Sequence, residues 1–555
     1  MNETAIRATR ATRRLDLIVL LLVALLVRGL TAWPMQQPGY MDAAYYVDGG
    51  LSLYEGRGFT EPFIWNYLDD PEGVPRPSHL YWMPLASILV WLSFLLLGPT
   101  YRAAQVPFAL LSALLPLLCY VVAYETTRSR RHALCAGVLA VFGGFYLAYW
   151  VTPDNFAPFA LAGGFCLWAA GRALKTGQPL WFAAAGMCAG MAHLARADGP
   201  LLLLAVLAAG VAETGLGVAD PVRTHDLASG EASDGRCGRW WRWQPLARGL
   251  VLCGACYLLV VSPWLVRNQA VIRHPLATLG ARTVWLTNYD DQFGYGQPLT
   301  LQSYLAWGWG NILRSKLQGL WLNGQTVIAA GWAICLAPVG LIGVWRLRRR
   351  TEFRAAWLYG GLLYLVMSLV FTYPGWRGGL LHSLVALVPF LYAAALAGLD
   401  VFVEWMAARR HTWRVPQAQR VLAVGLVVLV ALLSAVLYAR GLSKFRGSHV
   451  YSDAAAWLDE NALPSERVMV NDPASFYYYS RRECLSIPNA ALDTVLQVMQ
   501  RYDVHYLLLD SHYLLLRGLY ESPGSSDSLV LLRGFGQGEE TVYLLRRAEL
   551  GAGSG

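Results

Sequence analysis

The chain has 555 residues, 56% of them hydrophobic and 15% charged, with a formal charge of +9. Soluble domains carry about a quarter charged residues, so this composition excludes a soluble multidomain protein and points to a polytopic membrane protein. The basic excess sits in short tracts at the ends of apolar runs, where the positive-inside rule places it, and this removes nucleic acid as a partner.

In chain order, Arg7, Arg10, Arg13 and Arg14 precede LDLIVLLLVALLVRGLTAW, a run of about 20 mostly apolar residues. The first span is therefore predicted to run outward from a cytoplasmic N-terminus, with Arg28 snorkelling near its outer end. The run lacks a small-residue cleavage site, so no cleavable signal is read. A first outer loop, 34–103, follows. If Tyr40 to Tyr54 is helical, Asp42, Tyr45, Tyr46 and Gly49 fall at i, i+3, i+4 and i+7 and share one face. The apolar run Trp82 to Gly98 is short and carries Pro84. A crossing there would put the basic TTRSRRH outside, so the run is read as a juxtamembrane or re-entrant helix on the outer side.

The second span, about Ala103 to Tyr124, then leads inward to Arg128, Arg130 and Arg131, and the third, about Ala133 to Trp150, returns Asp154 to the face of Asp42. Three more spans place Arg196 and Asp198 outside, as an ion pair bracing a short turn. Ala212 to Arg248 is polar and ends near RWWRW, which suits a flexible cytoplasmic loop on anionic headgroups. A seventh span opens into a second long outer loop, 265–325, holding Arg267, His274, Asp290 and Asp291; Asp48, Asp290 and Asp291 are read as solvated. The eighth span is about Thr326 to Trp345, and the ninth and tenth meet near Arg377 and His382 at the outer face. With the last, the count is about 11 transmembrane helices within 1–440.

Residues 441–548 alternate helix-like and strand-like pieces, from SDAAAWLDENAL to TVYLLRR, and read as a small extracytoplasmic α/β domain followed by a disordered tail, 549–555. No glycine-rich nucleotide fingerprint, P-loop, zinc spacing or hydrolase elbow appears there. Most of the nine cysteines lie in apolar runs, so no disulfide framework is implied; Cys253 and Cys256 are read as packing residues.

Carboxylates and arginines gathered at one non-cytoplasmic surface suit a charged substrate arriving through the bilayer. The guanidinium fork grips phosphate, and an adjacent Asp suits a general base or a metal ligand. The ordered set is Asp42 with an aromatic four residues on, Arg76-Pro77 ahead of Tyr81-Trp82, Arg102 opening the next span, Asp154 after the third span, and SPWLVRN. This set resembles the integral-membrane glycosyltransferases of the GT-C fold. The likeness is nearest to the protein mannosyltransferase and aminoarabinose lipid A transferase group, glycosyltransferase family 39 and its bacterial relatives.

The resemblance implies that Asp42 is the catalytic carboxylate and Asp154 the second-loop acid. It assigns Tyr45, Tyr46, Arg76, Arg102, Arg267 and Arg377 to substrate binding. The implied reaction is inverting transfer of a sugar from a polyprenyl-phosphate donor to a protein, lipid or glycan acceptor, as in protein O-mannosylation or cell-envelope glycosylation. Ala43 and Pro75 stand where the family often carries Glu, so no metal ligands are assigned and a divalent metal stays an open alternative. The competing readings are a transporter or flippase for a lipid-linked or anionic substrate, and a catalytically inactive membrane scaffold.

Overall fold

A computed structural model describes residues 3–215, 237–277, 279–410, 412–446, 450–537 and 541–548. The segment 216–236 of the expected cytoplasmic loop and the tail 549–555 lie outside the described residues. Among the described residues, seven helices are long and apolar enough to cross a membrane, and four shorter apolar helices accompany them.

The N-terminal half runs α1 (Glu3–Ala32), α2 (Met41–Tyr54), α3 (Leu85–Leu97), α4 (Tyr101–Thr127), α5 (Arg130–Phe142), α6 (Phe156–Thr176), α7 (Pro179–Ala195), α8 (Pro200–Gly215) and α9 (Cys237–Ile272). The expected juxtamembrane helix is α3, only 13 residues long. Helix α9 begins before the expected span, so the stretch from Cys237 to Arg248, read as loop, is helical. Two short helices, α10 (Leu279–Arg282) and α11 (Leu301–Ala306), cross the second long loop before α12 (Trp309–Thr326).

The expected eighth span is not continuous. The helix of α12 ends in a π turn at Val327–Gly331, breaks with Ala333 and Ile334 at positive φ, and restarts as α13 (Ala337–Leu347). The cause is Pro338, which fits a first helical turn and not a helix interior. Then come α14 (Thr351–Leu365), α15 (Thr372–Pro374), α16 (Leu380–Leu384), α17 (Val388–Arg409) and α18 (Val415–Gly441).

Glycines let the helix backbones touch, the usual way of packing helices where lipid gives no hydrophobic drive. A Cβ on Gly186 would strike the Cys253 carbonyl, and one on Gly343 would strike that of Ala394, so α7 meets α9 and α13 meets α17 at backbone distance. Cys253 and Cys256 are free thiols in that packing. At one end of the bundle, basic turns are tied by ion pairs: Arg130 to Asp16, Arg131 to Asp400, Arg172 to Glu125 and Lys175 to Glu352.

At the other end sits the small domain: α19 (Val450–Asn461), α20 (Pro473–Ser480), α21 (Leu492–Arg501), α22 (Arg517–Glu521) and a sheet. The first long loop, between α2 and α3, carries β1 (Thr60–Glu61), β2 (Phe63–Ile64) and β3 (Arg76–Pro77), and the C-terminal region carries β4 (Arg467–Val470), β5 (Cys484–Ser486), β6 (Val504–Leu509), β7 (Leu529–Phe535) and β8 (Val542–Arg547). The six-stranded order is β2-β5-β4-β6-β8-β7, parallel from β2 to β6 and antiparallel beyond. The first loop therefore supplies an edge strand, with Phe63 opposite Cys484 and Ile64 opposite Leu485. The two regions share one hydrophobic core, in which Tyr45 and Phe63 pack with Val468 and Phe476. Asp48, read as solvated, is buried in this seam and faces Arg481 Nη1 at 3.5 Å.

Candidate active site

Asp42 lies in the first turn of α2, where the positive end of the helix favours a carboxylate. The helix is clamped by α3, because Gly49 and Gly50 leave no Cβ: one on Gly49 would come within 2.5 Å of Ser87 Oγ. Asp154 arrives from the turn before α6 and is fully buried. Its Oδ2 accepts from the Tyr40 hydroxyl at 2.7 Å and its Oδ1 from the Asn155 backbone N–H at 2.5 Å.

Asn155 knits the centre together. Its Nδ2 donates to the Tyr46 hydroxyl at 3.2 Å, while its Oδ1 accepts from Arg196 Nη1 at 3.5 Å and from His382 Nδ1 at 2.8 Å. An oxygen at that position requires His382 to carry its proton on Nδ1, which leaves an unprotonated Nε2. Ligand atoms of Asp42, Asp154 and His382 lie within 4.8 Å of one another. Two carboxylates this close in a buried place cannot both stay charged without a counter-charge. Burial, and then the charge of Asp154, push the Asp42 pKa up; burial also raises that of Asp154, against the Tyr40 hydrogen bond. Two carboxylate oxygens and an imidazole nitrogen also fit a divalent cation.

Two cavities meet here. One, of about 350 Å³, is lined by Asp42, Tyr46, Trp65, Tyr81, Trp82, Asn155, Arg196, Tyr289 and Gln292. The other, of about 420 Å³, runs between the α5–α6 connection and the end of α18, lined by Tyr40, Phe145, Tyr149, Tyr438 and Lys444. Asp42, Arg377, Gly378 and His382 border both. The Arg377 backbone belongs to a π turn kinked at Gly378, whose φ of 150° only glycine adopts readily.

Residues 76–217 match the dolichyl-phosphate-mannose-protein mannosyltransferase family. In three dimensions the chain is similar to the archaeal oligosaccharyltransferase AglB from Archaeoglobus fulgidus in complex with an inhibitory peptide and a dolichol-phosphate. The identity is 14% and the TM-score 0.56, over 90% of this chain and 70% of that one. It is similar also to ArnT from Cupriavidus metallidurans bound to undecaprenyl phosphate, at 15% identity and TM-score 0.53, over 95% of this chain and 97% of that one. A third likeness is to the Archaeoglobus fulgidus oligosaccharyltransferase in complex with Zn and sulfate, at 15% identity and TM-score 0.57, over 91% and 68% of the two chains. The chain has the GT-C fold. No curated protein matches it by sequence.

Within this GT-C chain, the residues singled out in the sequence fall into two groups. Asp42, Asp154, Tyr46 and Arg377 gather at the meeting of the cavities. The others lie away from the cavity walls. Tyr45 turns from its expected neighbours and donates to Glu61 Oε2 at 2.8 Å. Arg76 is buried between Glu61 and Asp69, at 3.4 and 2.6 Å. Arg102 donates to the Ala32 and Trp33 carbonyls, at 2.9 and 2.5 Å, and so ties α4 to the end of α1. Arg267 donates to the Phe59 carbonyl at 3.1 Å and lies over the Trp264 ring.

Arg196 does pair with Asp198, at 3.0 Å, and does more. It also donates to Ser383 Oγ at 2.8 Å and the Gly379 carbonyl at 3.3 Å, fastening the α7–α8 turn to the kinked segment that carries Arg377 and His382. His382 and Asn155 received no role from the sequence. The signal was present only as position, His382 at the outer end of a span and Asn155 beside Asp154.

Proposed function

We propose that the chain is a membrane glycosyltransferase that moves a sugar, with inversion, from a polyprenyl-phosphate donor to an acceptor hydroxyl on the extracytoplasmic side. The observation that carries this reading is the junction itself: two cavities open onto one carboxylate, Asp42, with an exposed guanidinium, Arg377, at the same border. A transfer between two bulky substrates needs that arrangement, one approach for each and a base between them.

In the proposed step, Asp42 takes the proton from the acceptor hydroxyl. The acceptor oxygen bonds to the anomeric carbon as the carbon–oxygen bond to phosphate breaks, and the polyprenyl phosphate leaves with the negative charge. Arg377, a cation already standing at the border of both cavities, stabilises that charge. The raised pKa of Asp42 makes it a stronger base than an ordinary carboxylate. Asn155 holds Tyr46 and His382 in place around it. Asp42, Asp154 and His382 would hold a divalent cation, which would supply positive charge at the junction when bound.

Support for the donor class comes from the relatives, whose structures hold dolichol-phosphate and undecaprenyl phosphate. Support for the sidedness comes from the ion-paired basic turns, which lie at the end of the bundle away from the site, as a cytoplasmic end would. The test is transfer of sugar from a polyprenyl-phosphate donor by membranes carrying wild-type chain or Asp42→Asn. The variant is expected to insert normally and transfer nothing measurable; undiminished transfer would remove Asp42 from the mechanism.

A further inference from the structure

The expected snorkelling of Arg28 does not occur. Its side chain is fully buried in the bundle, and no carboxylate among the described residues lies within ion-pair distance of it. The acceptors are neutral and come from two helices. Nε donates to Ser112 Oγ on α4 at 3.0 Å, while Nη1 and Nη2 donate to the Val141 and Ala140 carbonyls at 2.6 and 3.3 Å. Ser112 is free to accept because its own proton goes to the Ala109 carbonyl, at 3.2 Å.

The two carbonyls belong to the last turn of α5, the negative end of its dipole, where a cation is favoured. That end is already closed by Gly143, at φ 70°, whose N–H donates to the Leu139 carbonyl at 2.8 Å. Arg28 is therefore not needed to stop the helix. It takes the next two carbonyls and fixes where the helix end stands.

The same guanidinium lies over the Trp150 ring, 5.8 Å from its centroid. Trp150 is fully buried and packs so closely on Gly143 that a Cβ there would come within 2.4 Å of its Nε1. One side chain of α1 thus holds the start of the α5–α6 connection and also a point four residues before Asp154. Between the two holds the chain makes only short turns, entered through Gly143 and Gly144, both at positive φ. The connection ends at the Asn155 N–H on Asp154 Oδ1 and at the Asn155 side chain that reaches Tyr46 and His382. A second tie between α1 and α5, Arg130 to Asp16 at 2.6 Å, stands at the opposite end of both helices.

We propose that Arg28 is a positioning residue for the active site: from inside the bundle it fixes the α5–α6 connection and so sets Asp154 and Asn155 against Asp42. The catalytic consequence rests on the transferase reading above; the hold on the connection does not.

Two readouts on the full chain in phosphatidylcholine nanodiscs test this: amide hydrogen exchange across residues 143–155, where the Asn155 N–H reports on Asp154, and kcat/KM for sugar transfer from a polyprenyl-phosphate donor. Arg28→Met is expected to speed exchange in 143–155 about tenfold with α17 unchanged, and to lower kcat/KM about 10²-fold, as a misplacement of about 1 Å does. In an Asp154→Asn background the same substitution should cost no more than about threefold, because the group it positions is already gone. Arg130→Gln, which cuts the other tie between the same helices, is the control and should keep both readouts within about twofold of wild type. Should Arg28→Met not fold, Ser112→Ala removes one acceptor of the three and is expected to speed exchange in the same segment about threefold. Wild-type exchange in whichever of these variants folds, an undiminished cost in the Asp154→Asn background, or an equal loss in Arg130→Gln would each overturn the assignment. A wild-type chain that transfers no sugar would sink the transferase reading alone, and the exchange rates would still decide what Arg28 holds.

Discussion

Two groups of charged residues, one at each end of the helix bundle, are held in opposite ways. At the basic end, Arg131 meets Asp400 at 2.6 Å, Arg172 meets Glu125 at 2.5 Å and Lys175 meets Glu352 at 2.5 Å, so each of these cations has its carboxylate. At the site end, Arg377 and Lys444 have no anion, and Asp42 has no cation within ion-pair distance among the described residues. Cations left without an anion beside a carboxylate of raised pKa mark a place where an anionic ligand would complete the match. Arg196 and Asp198 are an instructive exception on the cavity wall itself: they are matched, stand at the site end, and build that wall.

The largest effect should come from the unmatched carboxylate. Asp42→Asn is expected to lower kcat/KM for sugar transfer by about 10³-fold, within the 10² to 10⁴ a positioned base contributes. Its thermal midpoint in detergent should hold or rise, since no side-chain partner is lost and the desolvation and repulsion that raise the Asp42 pKa are removed. A stability loss equal to that of a buried ion pair would move Asp42 from the chemistry into the scaffold.

Arg196→Met tests the exception. Both members of the pair are largely buried, so removing the guanidinium leaves Asp198 uncompensated and should cost about 3 to 5 kcal/mol of stability, read by denaturant titration of the detergent-solubilised chain. Activity should fall with folding. Intact stability with lost activity would make Arg196 a substrate ligand instead.

How far the sequence could carry these distinctions depended on range. Span length and arginine tracts sufficed to put Asp42 and Asp154 on one face, and the structure brings them together. The fate of the other arginines was hidden, because it rests on partners that no local pattern announces. Arg76 is held by Glu61 and Asp69 across a two-residue ladder, and Arg102 by carbonyls some seventy positions earlier. His382 depends on Asn155, 227 positions away, for its tautomer and orientation. The strand Phe63–Ile64 is too short for a periodicity to register, and its partner lies in the C-terminal domain. The break at Trp332–Leu336 was readable in principle from Pro338, which a run of apolar residues masked.

The coupling of the two aspartates gives a smaller and more diagnostic effect. The charge of Asp154 helps hold the Asp42 pKa above the ordinary carboxylate range, and Asp42 acts only when deprotonated. Activity should therefore be lost as pH falls through that raised pKa. Asp154→Asn removes the repelling charge, so the acid limb of kcat/KM should move to lower pH. A shift to higher pH, or none, would mean that the two carboxylates do not share a field.

The smallest effect belongs to the matched end. Lys175 and Glu352 form a short pair, yet the lysine is 57% exposed, and water and salt compete with it. Lys175→Ala should cost no more than about 1 kcal/mol, and less at high ionic strength, in the same titration used for Arg196→Met. The comparison between the ends turns on the gap between these two variants. If the exposed pair proved as costly as the enclosed one, charge matching alone would set stability throughout the bundle, and Arg377 and Lys444 would be read as losses the fold tolerates, with no claim to a ligand.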